Sequence, residues 1–256
     1  LIKKEHLPIL LVLGFSLAFH LVGCFFLYDF SNDEGAYLIN AKNIALFNTI
    51  SLEGVYNTAL TPLHTLLHAF LYQLFSPGIF ISRYVSILFA FLLLALFYVF
   101  VKKGYGRKIA VFSVLIIAVN GIFNRFTTLA VMEAEIYFFA ILTILFCFSS
   151  KPWVRRLSFL PFSLCLGFKP VLFYLAIPLL YAISTGYSEE NKFTLRLNRK
   201  AITEIGISTL GTLFLTGLIF YSAYAFNPEG FLTTLFYQTN WANFAEDHTS
   251  RFEIYR

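Results

Sequence analysis

The sequence predicts an all-α integral membrane protein: about seven transmembrane helices, with two amphipathic helices lying along the outer surface. Three observations predict it. Of 256 residues 58% are hydrophobic and 13% charged, and the mean hydropathy is +0.73. A soluble domain carries roughly 25% charged residues, so half of that supply is missing. The 32 Phe exceed what one water-facing core needs. Finally, the basic residues gather in a few clusters between apolar runs, and most of the acids fall on the alternate segments.

The chain opens Leu1-Ile2-Lys3-Lys4, and its first apolar run, Leu7–Leu27, has no small-residue cleavage site. It reads as a retained anchor. Further spanning candidates are Ile79–Val101, Ile109–Phe123 and Ala201–Ala225, with a shorter one at Ala134–Ser149. The stretch Leu157–Ser184 is apolar except for Lys169 near its centre, which Pro170 follows. The positive-inside rule decides how often that stretch crosses. Basic clusters stand at Lys3/Lys4, Lys102/Lys103/Arg107/Lys108, Lys151/Arg155/Arg156 and Lys192/Arg196/Arg199/Lys200. For Arg156 and Lys192 to share the cytoplasmic side, an even number of crossings must separate them. Two short tilted helices meeting at Lys169-Pro170 satisfy this. One span would instead hold the ammonium mid-membrane, at about 3 kcal/mol or more.

The resulting layout is a seven-crossing module over residues 1–225 with its N-terminus inside. It has an outer segment at 28–77, and a second outer segment begins at 226–256. Cys24, Cys147 and Cys165 lie in apolar runs without metal-ligand spacing and read as small buried residues. The net charge of +5 follows from the inner clusters and needs no nucleic-acid partner. No repeat, low-complexity tract or Gly-rich phosphate loop is present.

Chemistry-bearing residues concentrate in the outer segments. After the first run comes Asp29-Phe-Ser-Asn-Asp33-Glu34-Gly35-Ala-Tyr37. Leu38–Phe47 then alternates apolar and polar residues at helical spacing, as an interfacial helix does. Pro62–Phe75 is a second such segment, with His64 and His68 one turn apart on one face. An acidic pair beside flat-lying helices suits an enzyme working on a lipid-borne substrate; taken alone it also fits a solvated loop. The histidines alone read as packing or interfacial residues, since two do not make a metal site. Glu133 and Glu135 open an apolar helix, so they must face water, a cavity or a cation, or serve the helix dipole. Arg125 and Lys169 are further outer cations. His20, mid-span, reads as a packing residue.

The order of these elements resembles the membrane glycosyltransferases of the GT-C superfamily, which take sugars from polyprenyl-phosphate carriers. The nearest branches are the protein O-mannosyltransferase-like and aminoarabinose-transferase-like enzymes. The matching stretches are Asp33-Glu34-Gly35-Ala36-Tyr37, Thr61-Pro62-Leu63, Ser82-Arg83-Tyr84-Val85-Ser86, Met132-Glu133 with Phe138-Phe139, and Gly167-Phe168-Lys169-Pro170. The resemblance implies a seven-helix module, two outer juxtamembrane helices and a catalytic acid in the first outer loop, to which Asp33 corresponds. Two positions depart: Glu133 stands where an Asp is usual, and Thr61 where one branch has Lys before its proline. The family's C-terminal region is absent after Arg256, so the chain is expected to be truncated.

On that resemblance the expected function is inverting sugar transfer from a polyprenyl-phosphate donor to an acceptor hydroxyl on a lipid or protein. It would occur at the extracytoplasmic face of a prokaryotic cytoplasmic membrane. Asp33 is the expected base, with Glu34 as its catalytic neighbour, and Tyr37, His64, Arg125, Glu133 and Lys169 form the substrate-binding set. Asp33 and Glu133 leave room for a divalent metal; no other cofactor is expected. The alternatives are a polytopic transporter or flippase, with charges at broken helices, and a non-catalytic membrane fragment.

Overall fold

The computed structural model describes residues 6–48, 61–149, 151–176 and 199–226, with Pro228 and Phe231. Among these residues every regular element is helical. Helix α1, Leu7–Val22, runs on through a five-residue π turn, Gly23–Leu27. There the Tyr28 N–H bonds to the Gly23 carbonyl instead of that of Cys24. Helix α2, Asn32–Phe47, is started by a capping box: the Ser31 hydroxyl accepts from the Asp33 N–H, and the Glu34 carboxylate accepts from the Ser31 N–H. Asn48, in the left-handed region at φ 52°, stops it.

Helix α3, Pro62–Phe75, begins with proline in its first turn, where the missing N–H costs nothing. Helix α4, Ile79–Tyr105, ends at Gly106, whose φ of +83° requires glycine; Lys102 and Lys103 sit favourably against its C-terminal dipole. Helices α5, Arg107–Ala118, and α6, Gly121–Thr128, meet at a 69° bend. Then come α7, Glu133–Cys147, the short α8, Pro152–Arg156, and α9, Phe159–Phe168, followed by a 3-10 turn, Pro170–Leu175. Helix α10, Arg199–Phe226, is the last long element described.

Three helical stretches are long and apolar enough to cross a membrane: Leu7–Leu27, Ile79–Tyr105 and Ile202–Phe226, or four if the bent α5–α6 pair counts as one span. Helix length alone therefore does not give seven crossings. The predicted span Ile109–Phe123 is broken because the Asn120 side chain accepts from the Phe123 N–H and starts a new helix. The predicted Ala134–Ser149 appears as α7, whose 15 residues fall short of the roughly 20 a span needs. The apolar stretch after Leu157 breaks at Lys169, whose backbone is extended (φ −151°, ψ 99°), but α9 before it has only 10 residues. Its predicted continuation to Ser184 lies mostly outside the described residues, as do Glu53 and Lys192.

The long helices turn large apolar side chains outward. On α10, Leu210, Leu213 and Phe214 are each at least 65% exposed, and only 11% of the apolar window is buried. Such a face is costly in water and suited to lipid. Inward, α1, α4 and α5 share a core of Leu13, Leu94, Tyr98, Val101, Val114 and neighbours. Helix α2 lies on α3 through Leu38, Ala41, Ile44, Ala69 and Tyr72. Helix α7 packs on α9 through Met132, Ile136, Cys165 and Phe168. All three cysteines are buried and free, and His20 is buried with Nε2 at 2.8 Å from the Thr127 hydroxyl. At the basic end Arg155 pairs with Glu204 at 3.0 Å, joining α8 to α10. The candidate site lies at the other end of α7.

Candidate functional site

Two adjacent acids in the first turn of α2 have different fates. Glu34 is fully buried and Asp33 is exposed. Oε1 of Glu34 accepts from Arg83 Nε at 2.9 Å and from the Ala130 N–H at 2.7 Å. Oε2 accepts from Arg83 Nη2 at 2.8 Å and from the Ser31 N–H at 3.0 Å. A carboxylate has about four acceptor sites, and all are taken. Burial by itself would raise the Glu34 pKa, but Arg83 and the two backbone N–H groups together hold it below the ordinary carboxylate range.

Arg83 is equally saturated. Besides its bonds to Glu34, Nη1 donates to the Cys24 and Tyr28 carbonyls and Nη2 to that of Asp29. The π turn makes the Cys24 carbonyl available for this, because Tyr28 bonds elsewhere. The result is a buried knot tying the end of α1, the start of α2, the start of α4 and the segment before α7. The sequence places Glu34 as the catalytic neighbour of Asp33; the structure leaves its carboxylate no free lone pair, since all four are engaged inside the protein.

No hydrogen bond engages the Asp33 carboxylate among the described residues. It lies close enough for its charge to act on Glu133 and on Tyr37. Glu133, at the start of α7, pairs with Lys169, at the end of α9, at 3.9 Å, with side chains 22% and 43% exposed. At that length and exposure the pair contributes about 1 kcal/mol or less, so the ammonium is available to a better anion. Tyr37 stands between this face and the interior, its ring 5.8 Å from that of His64. Burial, with Glu133 and Asp33 nearby, pushes its hydroxyl up to about 12, so it remains a hydrogen-bond donor.

The structure thus brings Asp33, Tyr37, Glu133 and Lys169 to one face. Arg125 does not join them by any hydrogen bond or ion pair among the described residues; it is exposed on α6. His64 lies beneath the face and is fully buried.

His64, His68 and Glu135 form a second group, with one ligand atom from each lying within 4.8 Å of the others. This donor set lies one layer deeper than Asp33 and Glu133, where the sequence leaves room for a divalent metal. The sequence shows the histidine pair and the odd Glu135 in an apolar helix, but not that α3 and α7 bring them together. Burial drives both imidazoles toward the neutral form: His64 well below its ordinary value, helped by the neighbouring His68, and His68 down to about 4.

No protein-family model, curated protein or solved structure matches the chain.

Proposed function

We propose that the chain is the catalytic membrane module of a glycosyltransferase. It would move a sugar from a polyprenyl-phosphate donor to an acceptor hydroxyl at the extracytoplasmic face, with inversion. The observation that carries this reading is the Asp33 carboxylate, without a hydrogen bond among the described residues, beside the loosely paired Glu133 and Lys169. An acceptor base and a phosphate-binding cation share one face, at the end of the bundle away from the basic residues. Asp33 takes the acceptor proton. The acceptor oxygen then attacks the anomeric carbon from the side opposite the phosphate, and the carbon–oxygen bond to phosphate breaks. Lys169 stabilises the departing phosphate, and Tyr37 and Glu133 orient the reactants. Seven crossings and an outer site follow from the parity of the basic clusters. A cavity of about 230 Å³ between α7, α9 and α10, with Phe159, Phe162, Leu166 and Leu213 in its wall, offers apolar surface to an isoprenoid chain.

The bend between α5 and α6 is a feature that a transporter would share. There, however, Asn124 Nδ2 donates to the Ala118 carbonyl at 2.8 Å, so that freed carbonyl is completed by a side chain of the protein and is not left for a transported ion.

The test is donor binding and sugar transfer by the protein in lipid nanodiscs, using undecaprenyl-phosphate charged with mannose or aminoarabinose. Lys169→Ala should weaken donor binding about tenfold, the loss of one charge-assisted bond, and leave insertion intact. Unchanged binding would remove Lys169 from the site, and no transfer from either donor would remove the reading.

A further inference from the structure

His64, His68 and Glu135 belong neither to the Arg83 knot nor to the charged face. We propose that they are the ligands of a transition-metal dication, zinc first, which clamps the outer helix α3 to α7. The local sequence prepares this. His64-Thr-Leu-Leu-His68 is an i, i+4 pair that puts both imidazoles on one face of α3, the spacing used by helical zinc sites. Glu135 follows Glu133 by two residues, about 200° around the helix. Glu133 accordingly turns to Lys169 while Glu135 turns inward.

All three side chains are completely buried, and among the described residues none of their six polar atoms meets a hydrogen-bond partner. His64 faces the His68 ring and the Ala130 backbone, and Glu135 faces its own backbone N–H and the nearby Glu133 charge. Three such groups converging without partners is an expensive arrangement, and a cation bound among them removes the cost. The His64 and His68 ring centroids are 4.4 Å apart, and the candidate ligand atoms lie within 4.8 Å of one another. Zinc at 2.0–2.2 Å from each ligand needs neighbouring donors about 3.3 Å apart, which small side-chain rotations supply.

Two imidazoles and a carboxylate select zinc, iron, copper or nickel over magnesium and calcium. Tyr37 and Phe168 close over His64, and Tyr72 lies against His68. The site is therefore shut, and the second Glu135 oxygen is at hand as the fourth donor. Its role is structural. This holds whether or not the module transfers sugar.

The experiment uses the full chain in detergent, stripped with chelator and returned to buffered zinc. Metal analysis should give about one zinc per chain, with melting raised by roughly 10 °C at a thousandfold excess over Kd. His68→Gln and Glu135→Gln should lose the zinc, whereas His20→Gln, a buried histidine outside the group, should keep it. Cobalt-loaded His68→Cys should show a thiolate-to-cobalt charge-transfer band absent from the cobalt-loaded parent. A stripped parent that takes up no zinc, Gln variants that keep a full equivalent, or a His68→Cys variant without the band would each overturn the proposal.

Discussion

Replacing Arg83 with Met should destabilise the protein more than any other single change at the site. The side chain fits the same space, but Glu34 then stays buried with only the Ser31 and Ala130 N–H groups, and the carbonyls of Cys24, Tyr28 and Asp29 lose a donor. Both partners are nearly inaccessible, with side chains 5% and 0% exposed, so solvent screens little. Removing one partner of a buried pair costs about 3–5 kcal/mol, a large share of a typical stability of about 5–15 kcal/mol. For a chain of this size that lowers the melting point by roughly 6–20 °C. The three buried cysteines provide the assay, because a thiol-reactive fluorogenic dye reaches them only on unfolding. The double variant Glu34→Leu/Arg83→Met leaves no buried charge and should melt above Arg83→Met alone. An Arg83→Met protein that melts within about 3 °C of the parent would refute the knot. A double variant no better than the single would show that the pair is not the source of the loss.

Acid should act through the same knot. The Glu34 pKa is lowered from 4.5 on folding, so its contribution is complete above about pH 4.5 and is lost as pH falls through the lower folded value. Melts from pH 7 to 3 should show a steeper acid loss for the parent than for Glu34→Gln, and matching profiles would contradict this. At the α9–α10 contact, Gly211→Ala would place a Cβ 2.7 Å from Phe159 Cγ and should cost about 1–3 kcal/mol. Gly217→Ala meets nothing within 4 Å and should stabilise by up to about 1 kcal/mol through helix propensity; comparing the two melts checks both. For sidedness, Cys placed at exposed Phe47 should react with an impermeant thiol reagent on intact cells, and Cys at exposed Tyr105 only after permeabilisation. The reverse pattern would invert the topology.

Local signals in the sequence reach as far as element ends and no further. Pro62–Phe75 has the bounds its own residues set, with proline opening it and Ser76-Pro77-Gly78 closing it. Lys169-Pro170 announces its break by combining a charge with a ring that cannot continue a helix. Two further signals are present but quieter. Ser31-x-x-Glu34 is a capping-box pattern that starts α2 at Asn32, six residues before the amphipathic stretch from Leu38. Asn120-Gly121 marks the bend inside an apolar run. What remains illegible is which distant groups meet. Arg83 looks like an ordinary charge at a helix start until the π turn of α1 presents its carbonyls. Glu135 joins two histidines only because α3 and α7 pack at one particular register.

On the proposed mechanism Asp33, the acid of the pair whose carboxylate has no hydrogen-bond partner among the described residues, removes the acceptor proton. Asp33→Asn preserves shape, leaves the Glu34–Arg83 knot untouched and deletes only the proton acceptor. Measured in nanodiscs with the charged polyprenyl-phosphate donor, transfer should fall by about 10²-fold or more. Donor binding and melting temperature should stay at parental values. An Asp33→Asn protein that transfers sugar at the parental rate would contradict the account and shift attention to Glu133.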